Sequence, residues 1–188
     1  MISESDYQNA ANKLGVSVPA IKAFAKVESS GNGFQTDGQV KILFERHVFY
    51  KQLVANKGQE FADATYKSNP DICNPSPGGY GLYSAQHGRL DRAVAIDRTS
   101  ALCSASWGAF QIMGYHWKTC AYPSLQDFIN AMYTDAGQLD SVVRFLKANP
   151  AIVRALNSQD WTSAARLYNG PAQNGYDDRL KAAFDSFS

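Results

Sequence analysis

The strongest candidate for acid–base chemistry is Glu28, which lies in the run Val-Glu-Ser-Ser-Gly at residues 27–31. A carboxylic acid acts as a general acid near neutral pH when apolar surroundings raise its pKa and the rim of a cleft keeps it accessible. Glu28 meets both conditions, because it ends an apolar helix face and precedes small, turn-forming residues. A solvated glutamate at a helix end is the competing interpretation.

A second carboxylate usually assists the cleavage of a glycosidic bond, either by stabilising the cationic centre or by activating water. Glu45 is our candidate, with an ion pair to a nearby cation as its alternative role. Asp37 is the rival carboxylate, although Thr-Asp-Gly is also an ordinary turn sequence. His47 is a candidate for tuning Glu45, with simple packing as the alternative. The stereochemical outcome stays open, because it depends on the distance between the two carboxylates.

Hydrophobic periodicity and capping residues predict the elements that position these side chains. Ser17 caps the helix that ends at Glu28, and the alternating segment 39–45 is typical of a short β-hairpin. Residues 67–83 are rich in Asn, Pro and Gly and predict a long loop, in which Tyr80 and Tyr83 suggest a cleft wall. The predicted fold is mainly α, with one small β-hairpin beside the cleft. The predicted helices span about 5–14, 17–28, 46–54, 86–103, 107–113, 124–133, 137–148, 151–156, 161–168 and 176–187.

Three further motifs follow along the chain: Phe-Glu-Arg-His at 44–47, Ser-Trp-Gly-Ala-Phe-Gln-Ile-Met-Gly at 106–114, and Leu-Tyr-Asn-Gly-Pro at 167–171. In this order, after the Glu-Ser-x-Gly helix end, they resemble the lysozyme superfamily, above all goose-type lysozymes and lytic transglycosylases. The spacing is more closely similar to the N-acetylmuramidase family of phage endolysins. The resemblance runs from about Ala20 to Phe184 and implies a lysozyme-like α+β domain.

The resemblance implies a peptidoglycan hydrolase that cleaves the β-1,4 bond between N-acetylmuramic acid and N-acetylglucosamine. Glu28 would be the general acid and Glu45 the second carboxylate. A lytic transglycosylase, which uses one Glu as both acid and base, is the nearest alternative. Glu45 favours hydrolysis, and Pro171 departs from the Gly that transglycosylases often carry. A non-catalytic glycan-binding or phage structural module is the alternative from another class.

The resemblance also implies a set of substrate-binding residues. A tyrosine hydroxyl orients the catalytic Glu in the relatives, and an asparagine amide holds an N-acetyl group. The mid-chain segment would form the cleft floor, although Trp107, Phe110 and Ile112 are more readily core. The implied substrate-binding residues of this sequence are Ser106, Gly108, Gln111, Tyr168 and Asn169.

Composition and charge limit the possible partners. The 188 residues suit one domain, 1–188, with no room for a separate wall-binding domain, and 45% are hydrophobic. A net charge of +1 argues against a nucleic-acid partner. No apolar run approaches the ~20 residues needed to span a bilayer, and the acidic start lacks a signal-peptide pattern. We expect a monomer, made in the host cytoplasm, that reaches the wall after a membrane-permeabilising phage protein acts.

The cysteines and histidines give no sign of a metal site or another cofactor. Cys73, Cys103 and Cys120 match no zinc-binding spacing, and no pair of histidines has metal-ligand spacing. Reduced structural thiols are the favoured interpretation. A Cys103–Cys120 bridge stays open, because the sequence does not place the two sulfur atoms.

Overall fold

The computed structural model describes residues 1–29, 32–171 and 175–188. Helices dominate these ranges, as predicted, and short loops connect most of them. None of the described helices has the length and apolar character needed to cross a membrane. The helices are α1 Glu4–Leu14, α2 Val18–Glu28, α3 Arg46–Lys57, α4 Gln59–Ser68, α5 Gln86–Ile96, α6 Arg98–Cys103, α7 Leu125–Ala131, α8 Asp135–Lys147, α9 Pro150–Asn157, α10 Trp161–Asn169 and α11 Tyr176–Asp185.

A small antiparallel sheet accompanies the helices, with strands β1 Ile42–Phe44, β2 Ala105–Trp107 and β3 Ile112–Met113 in the order β1-β2-β3. The predicted alternation before Glu45 is confirmed, because the side chains of residues 40, 42 and 44 are fully buried. The hairpin predicted at 39–45 is only partly present. A single bridge joins Phe34 to Val40, whereas β1 pairs with β2.

The helix predicted at 107–113 is wrong, because this segment forms the β2–β3 hairpin. Gly108 at φ +72° and Gln111 at φ +48° both have left-handed backbone, which a right-handed helix excludes. Trp107 pairs with Ile112 across the turn and with Ile42 of β1 on the other side. Pairing with a strand far away in the sequence therefore overrides the local apolar spacing.

Two other boundaries differ from the predictions. The helix expected over 86–103 is divided into α5 and α6, because Asp97 is extended and its side chain accepts a hydrogen bond from the Ser100 amide at 2.8 Å. Helix α4 was not predicted, and it ends where the predicted loop begins. The loop itself is confirmed, since residues 69–82 contain neither helix nor strand.

The core lies between α2, the sheet and the helices that follow it. Phe24, Phe44, Phe49 and Phe128 are among its largest fully buried side chains. Helix α2 packs against α1 on one side and α11 on the other, and α10 also contacts α11. This arrangement brings the end of α2 next to the last two helices, and it confirms the predicted mainly α, lysozyme-like fold class.

Candidate active site

Local signals fix the position of Glu28 at the end of α2. The Ser17 side chain accepts a hydrogen bond from the Ala20 amide, and proline occupies the first turn. The helix ends after Glu28 because Ser29 has extended backbone, with its amide still bonded to the Ala25 carbonyl. Glu28 is half-buried, whereas Phe24, one turn earlier, is fully buried.

Two tyrosines surround the carboxyl of Glu28. Tyr168, near the end of α10, packs edge-on against Phe24 with ring centroids 5.0 Å apart. Tyr176, the first residue of α11, stacks on Tyr168 at 6.3 Å and is 3% exposed. Both hydroxyls act on the Glu28 carboxyl. The Tyr176 hydroxyl is buried and makes no hydrogen bond of good geometry with any described residue, so it acts on Glu28 as a nearby dipole.

Burial raises the pKa of the Glu28 carboxyl above its ordinary value. The hydroxyls of Tyr176 and Tyr168, and then the charge of Arg179, lower this pKa by less than burial raises it. Burial and the neighbouring Glu28 charge raise the pKa of both tyrosines, which keeps the two hydroxyls protonated. The arrangement therefore combines a carboxylic acid of raised pKa with two hydroxyl groups that favour its carboxylate form.

Glu45 lies between β1 and α3. Its backbone is extended, and it is the N-cap residue of α3. Its amide donates to the Ser104 carbonyl at 2.9 Å, and this bond ties it to the turn before β2. The Nδ1 atom of His47 lies 3.5 Å from the Glu45 carboxylate, and the Glu45 side chain is 21% exposed. Asp37, the rival carboxylate, is exposed and accepts a hydrogen bond from the Gln39 amide at 3.0 Å, as in an ordinary turn.

A row of aromatic rings connects the two glutamates. Burial raises the pKa of the Tyr115 hydroxyl, and the charge of Glu45 raises it further, so Tyr115 lies within the electrostatic range of Glu45. The ring of Tyr115 is 4.4 Å from that of His116, His116 is 5.1 Å from Phe145, and Phe145 is 6.2 Å from Tyr168. Burial lowers the pKa of His116, which favours its neutral form.

One cavity opens beside this row of rings, and Phe110 is shared between it and a second, larger cavity. The one of about 250 Å³ is lined by Gln111, Met113, His116, Phe145 and Tyr168, among others. The larger one, about 640 Å³, lies on the other side of Phe110 and borders the residue after Glu28. The described residues that line the two cavities include neither glutamate. The smaller cavity is the better candidate for holding the reacting group, because its lining includes Tyr168, whose hydroxyl acts on Glu28.

The β2–β3 hairpin holds three of the sequence candidates. Ser106 is 4% exposed, and its hydroxyl donates to the Gln111 side chain at 2.7 Å. The Gln111 amide in turn donates to the Gly108 carbonyl at 2.8 Å. A Cβ atom on Gly108 would lie 2.7 Å from the Gln138 carboxamide, which accepts a hydrogen bond from the Ala109 amide at 2.8 Å. The position of Gly108 therefore requires glycine, because Gln138 leaves no room for a side chain and φ is positive. Ser106 supports Gln111, and Gln111 is the one of these three residues that lines the smaller cavity.

The remaining candidates are divided between surface and core. Asn169 is exposed at the end of α10, next to Gly170 at φ +82°. Trp107, Phe110 and Ile112 are buried, as the core interpretation predicts. The sequence indicated Glu28 and Tyr168 but missed four rings of the site. They are Tyr115, His116, Phe145 and Tyr176, and only the Tyr115-His116 pair, next to the 106–114 motif, carried a local signal.

The described residues contain no group of three or more His, Cys, Asp or Glu side chains that is arranged to hold a metal ion. Cys73, Cys103 and Cys120 are buried free thiols. Burial raises the pKa of each thiol to about 11, so none of them is a thiolate near neutral pH. The cysteines are part of the core, and the Cys103–Cys120 bridge left open by the sequence is not formed.

The protein combines a mainly helical fold and a small sheet with a half-buried acid at a helix end. This combination is typical of lysozyme-like glycosidases. Residues 17–188 match the sequence profile of the N-acetylmuramidase family. The chain therefore belongs to the N-acetylmuramidase family, whose members are glycosidases that act on peptidoglycan. It is also similar to the crystal structure of the Burkholderia AP3 phage endolysin, with a TM-score of 0.92 and 42% identity over 98% of this chain and 71% of the endolysin. A comparison with curated proteins returns no match.

Proposed function

We propose that the protein cleaves the β-1,4 bond between N-acetylmuramic acid and N-acetylglucosamine in peptidoglycan, with Glu28 as general acid and Glu45 as second carboxylate. The observation that carries the proposal is the pair of tyrosines around a half-buried acid, because burial raises the pKa of Glu28 and the two hydroxyls favour the carboxylate that proton donation leaves. Membership of the N-acetylmuramidase family supports the same bond specificity.

In the proposed reaction, Glu28 donates its proton to the glycosidic oxygen as the bond breaks. The carboxylate that forms is stabilised by the hydroxyls of Tyr168 and Tyr176, which gain strength as the charge develops. Glu45 stabilises the oxocarbenium-like centre or activates the attacking water. His47 lies beside that carboxylate, with its Nδ1 atom 3.5 Å from Glu45.

We propose that the cavity of about 250 Å³ holds the sugar ring next to the scissile bond. Gln111 and Tyr168 line it directly, and Ser106 contributes by holding Gln111. Gly108 contributes by keeping the hairpin turn close to Gln138. Asn169 follows Tyr168 and is exposed, and we propose that its amide binds an N-acetyl group.

The biological role we propose is that of a phage lysis enzyme, active as a monomeric single domain. It would be made in the host cytoplasm and reach peptidoglycan after a phage protein permeabilises the membrane. The likeness to a phage endolysin over 98% of this chain supports this role.

The test compares Glu28→Gln and Glu45→Gln with Glu60→Gln, a control that makes the same change at an exposed position on α4. We expect Glu28→Gln to reduce turbidity-based wall lysis by on the order of a hundredfold or more, as the loss of a positioned acid does. Glu45→Gln should lose most activity, and Glu60→Gln should lose none. Near-normal lysis by a folded Glu28→Gln protein contradicts the proposal.

Mass spectrometry of the digest tests the reaction class separately. Hydrolysis yields reducing muramic acid ends, whereas a transglycosylase yields 1,6-anhydro ends that are lighter by one water. We expect reducing ends, because Glu45 is present as a second carboxylate. A digest with anhydro ends alone would assign the protein to the transglycosylases.

A further inference from the structure

Three large apolar side chains project into solvent from the end of the long loop before α5. Tyr80 is 36% exposed, Leu82 75% and Tyr83 60%. We call these three residues the loop platform. A contiguous patch of exposed apolar side chains marks interaction sites on many proteins.

The loop platform is attached directly to β1, the strand that ends just before Glu45. The fully buried Gln86 side chain donates to the carbonyls of Tyr80 at 2.6 Å and Leu82 at 3.0 Å. The same carboxamide accepts a hydrogen bond from the Phe44 amide at 3.0 Å. One carboxamide therefore joins the platform backbone to the residue before Glu45.

Arginine side chains fix the rest of the loop. Arg89 donates to the carbonyls of Asp71 at 2.8 Å and Gly79 at 2.6 Å, and also to that of Tyr80. The Arg46 guanidinium packs so closely against Gly79 that a Cβ there would lie 2.7 Å from it. The backbone that carries the exposed side chains is thus held in place by these hydrogen bonds and contacts. Binding to the exposed side chains would therefore require little further ordering.

The charge around the loop platform is positive. Arg46, Arg89 and Arg92 lie near one another, and Asp71 is the carboxylate that pairs with Arg92, at 2.6 Å. The Nε atoms of Arg46 and Arg89 are buried and make no hydrogen bond with a described residue. This charge favours an occupant that carries carboxylates, as the peptide-bearing strands of peptidoglycan do.

We propose that the loop platform is a binding subsite for a further sugar residue of the glycan strand, on the Glu45 side of the cleft. The apolar C–H face of a pyranose ring packs against Tyr80 and Tyr83, and the neighbouring arginines attract the strand's peptide carboxylates. The subsite rests on the proposed function, because its occupant is the same polymer that Glu28 and Glu45 cleave.

The test measures co-sedimentation of the protein with purified peptidoglycan sacculi, in a Glu28→Gln background that prevents digestion. We compare this parent with variants that also carry Tyr80→Ala and Tyr83→Ala, or Tyr83→Phe. Tyr133→Ala is the matched control, because Tyr133 is 58% exposed and no described contact links it to either glutamate. Thermal unfolding confirms that each variant is folded.

We expect the double alanine variant to bind sacculi on the order of tenfold more weakly, and Tyr83→Phe and Tyr133→Ala to bind like the parent. The same loss should appear with strands whose peptides have been removed by an amidase, because the rings bind sugar. Unchanged binding by the double variant overturns the subsite. A loss confined to peptide-bearing strands also overturns it, since the platform would then recognise peptide.

Failure of the proposed function gives a different result. Lysis by the Glu28→Gln parent contradicts the catalytic assignment, whereas the binding comparison still decides the subsite. If the native protein lyses walls normally and the double alanine variant binds like the parent, the subsite is overturned and the proposed function is not. A parent that does not sediment with sacculi overturns the subsite, whereas lysis by the native protein still decides the proposed function.

Discussion

Replacing Tyr176 by Phe should make the protein more stable and less active. The substitution removes one hydroxyl and keeps the ring that stacks on Tyr168. That hydroxyl is buried and lacks a well-formed hydrogen bond, yet it lowers the pKa of the Glu28 carboxyl. We infer that it is poorly satisfied in the resting enzyme and bonds fully when Glu28 becomes negative.

The size of both effects follows from this contact. An unsatisfied buried hydroxyl costs about 1–3 kcal/mol, so its removal should stabilise the fold by about 1 kcal/mol after its weak contact with Glu28 is lost. In a protein of this size, that gain raises the melting temperature by about 2–4 °C. The hydrogen bond formed in the transition state is worth about 1 kcal/mol, so kcat should fall about fivefold.

The pH profile gives a third readout. Because the Tyr176 hydroxyl lowers the pKa of Glu28, its removal should raise that pKa further. In the proposed reaction Glu28 acts in its protonated form, so the alkaline limb of the activity profile should move to higher pH. A residue with a purely structural role would leave this limb where it is.

The assay combines thermal unfolding with turbidity-based lysis across pH, on one preparation of each variant. Tyr168→Phe is the comparator, because its hydroxyl also acts on Glu28 and is not an unsatisfied buried group. It should lose activity with little change in melting temperature. A lower melting temperature for Tyr176→Phe would refute the unsatisfied hydroxyl, and an unchanged pH profile would refute its action on Glu28.

Two further predictions concern the glycine turn and the buried acid. Gly108→Ala should destabilise the protein more than Gly38→Ala. Both positions have positive φ, which costs a non-glycine residue about 1–2 kcal/mol, but only Gly108 lies against Gln138. Equal melting temperatures of the two variants would contradict the clash with Gln138. Below the ordinary Glu pKa of 4.5, Glu28→Gln should match the native protein in stability. As pH rises through the raised pKa of Glu28, the variant should become the more stable protein, because ionisation of the half-buried carboxyl destabilises only the native fold. Melting curves of both proteins from pH 4 to 8 check this, and a difference independent of pH would argue against it.

Local signals were enough to predict the position of Glu28. Ser17, the proline after it and the small residues beyond Glu28 all act within one helix, so they can be read without knowledge of the fold. The alternation that ends at Glu45 is equally local, and the burial of residues 40, 42 and 44 confirms it. Both glutamates therefore lie at element ends that the sequence itself defines.

The elements that the sequence did not predict depend on distant partners. The 107–113 segment has apolar residues at spacings that suit a helix, but pairing with Ile42 and the positive φ of Gly108 make it a hairpin. Helix α4 buries only Ala62 and Thr65, so its apolar pattern is too weak to recognise. Tyr176 could not be assigned a role, because its place beside Glu28 depends on how α11 packs against α2.

The acidity of Glu28 is therefore a property of packing as much as of the carboxyl itself. Three segments that are distant in sequence, the end of α2, the end of α10 and the start of α11, meet around one side chain. Phe24 fixes the ring of Tyr168, and Tyr168 in turn supports Tyr176. The same burial that raises the pKa of Glu28 also leaves the Tyr176 hydroxyl poorly bonded, so the fold accepts a less stable resting state at the point where charge develops during the reaction.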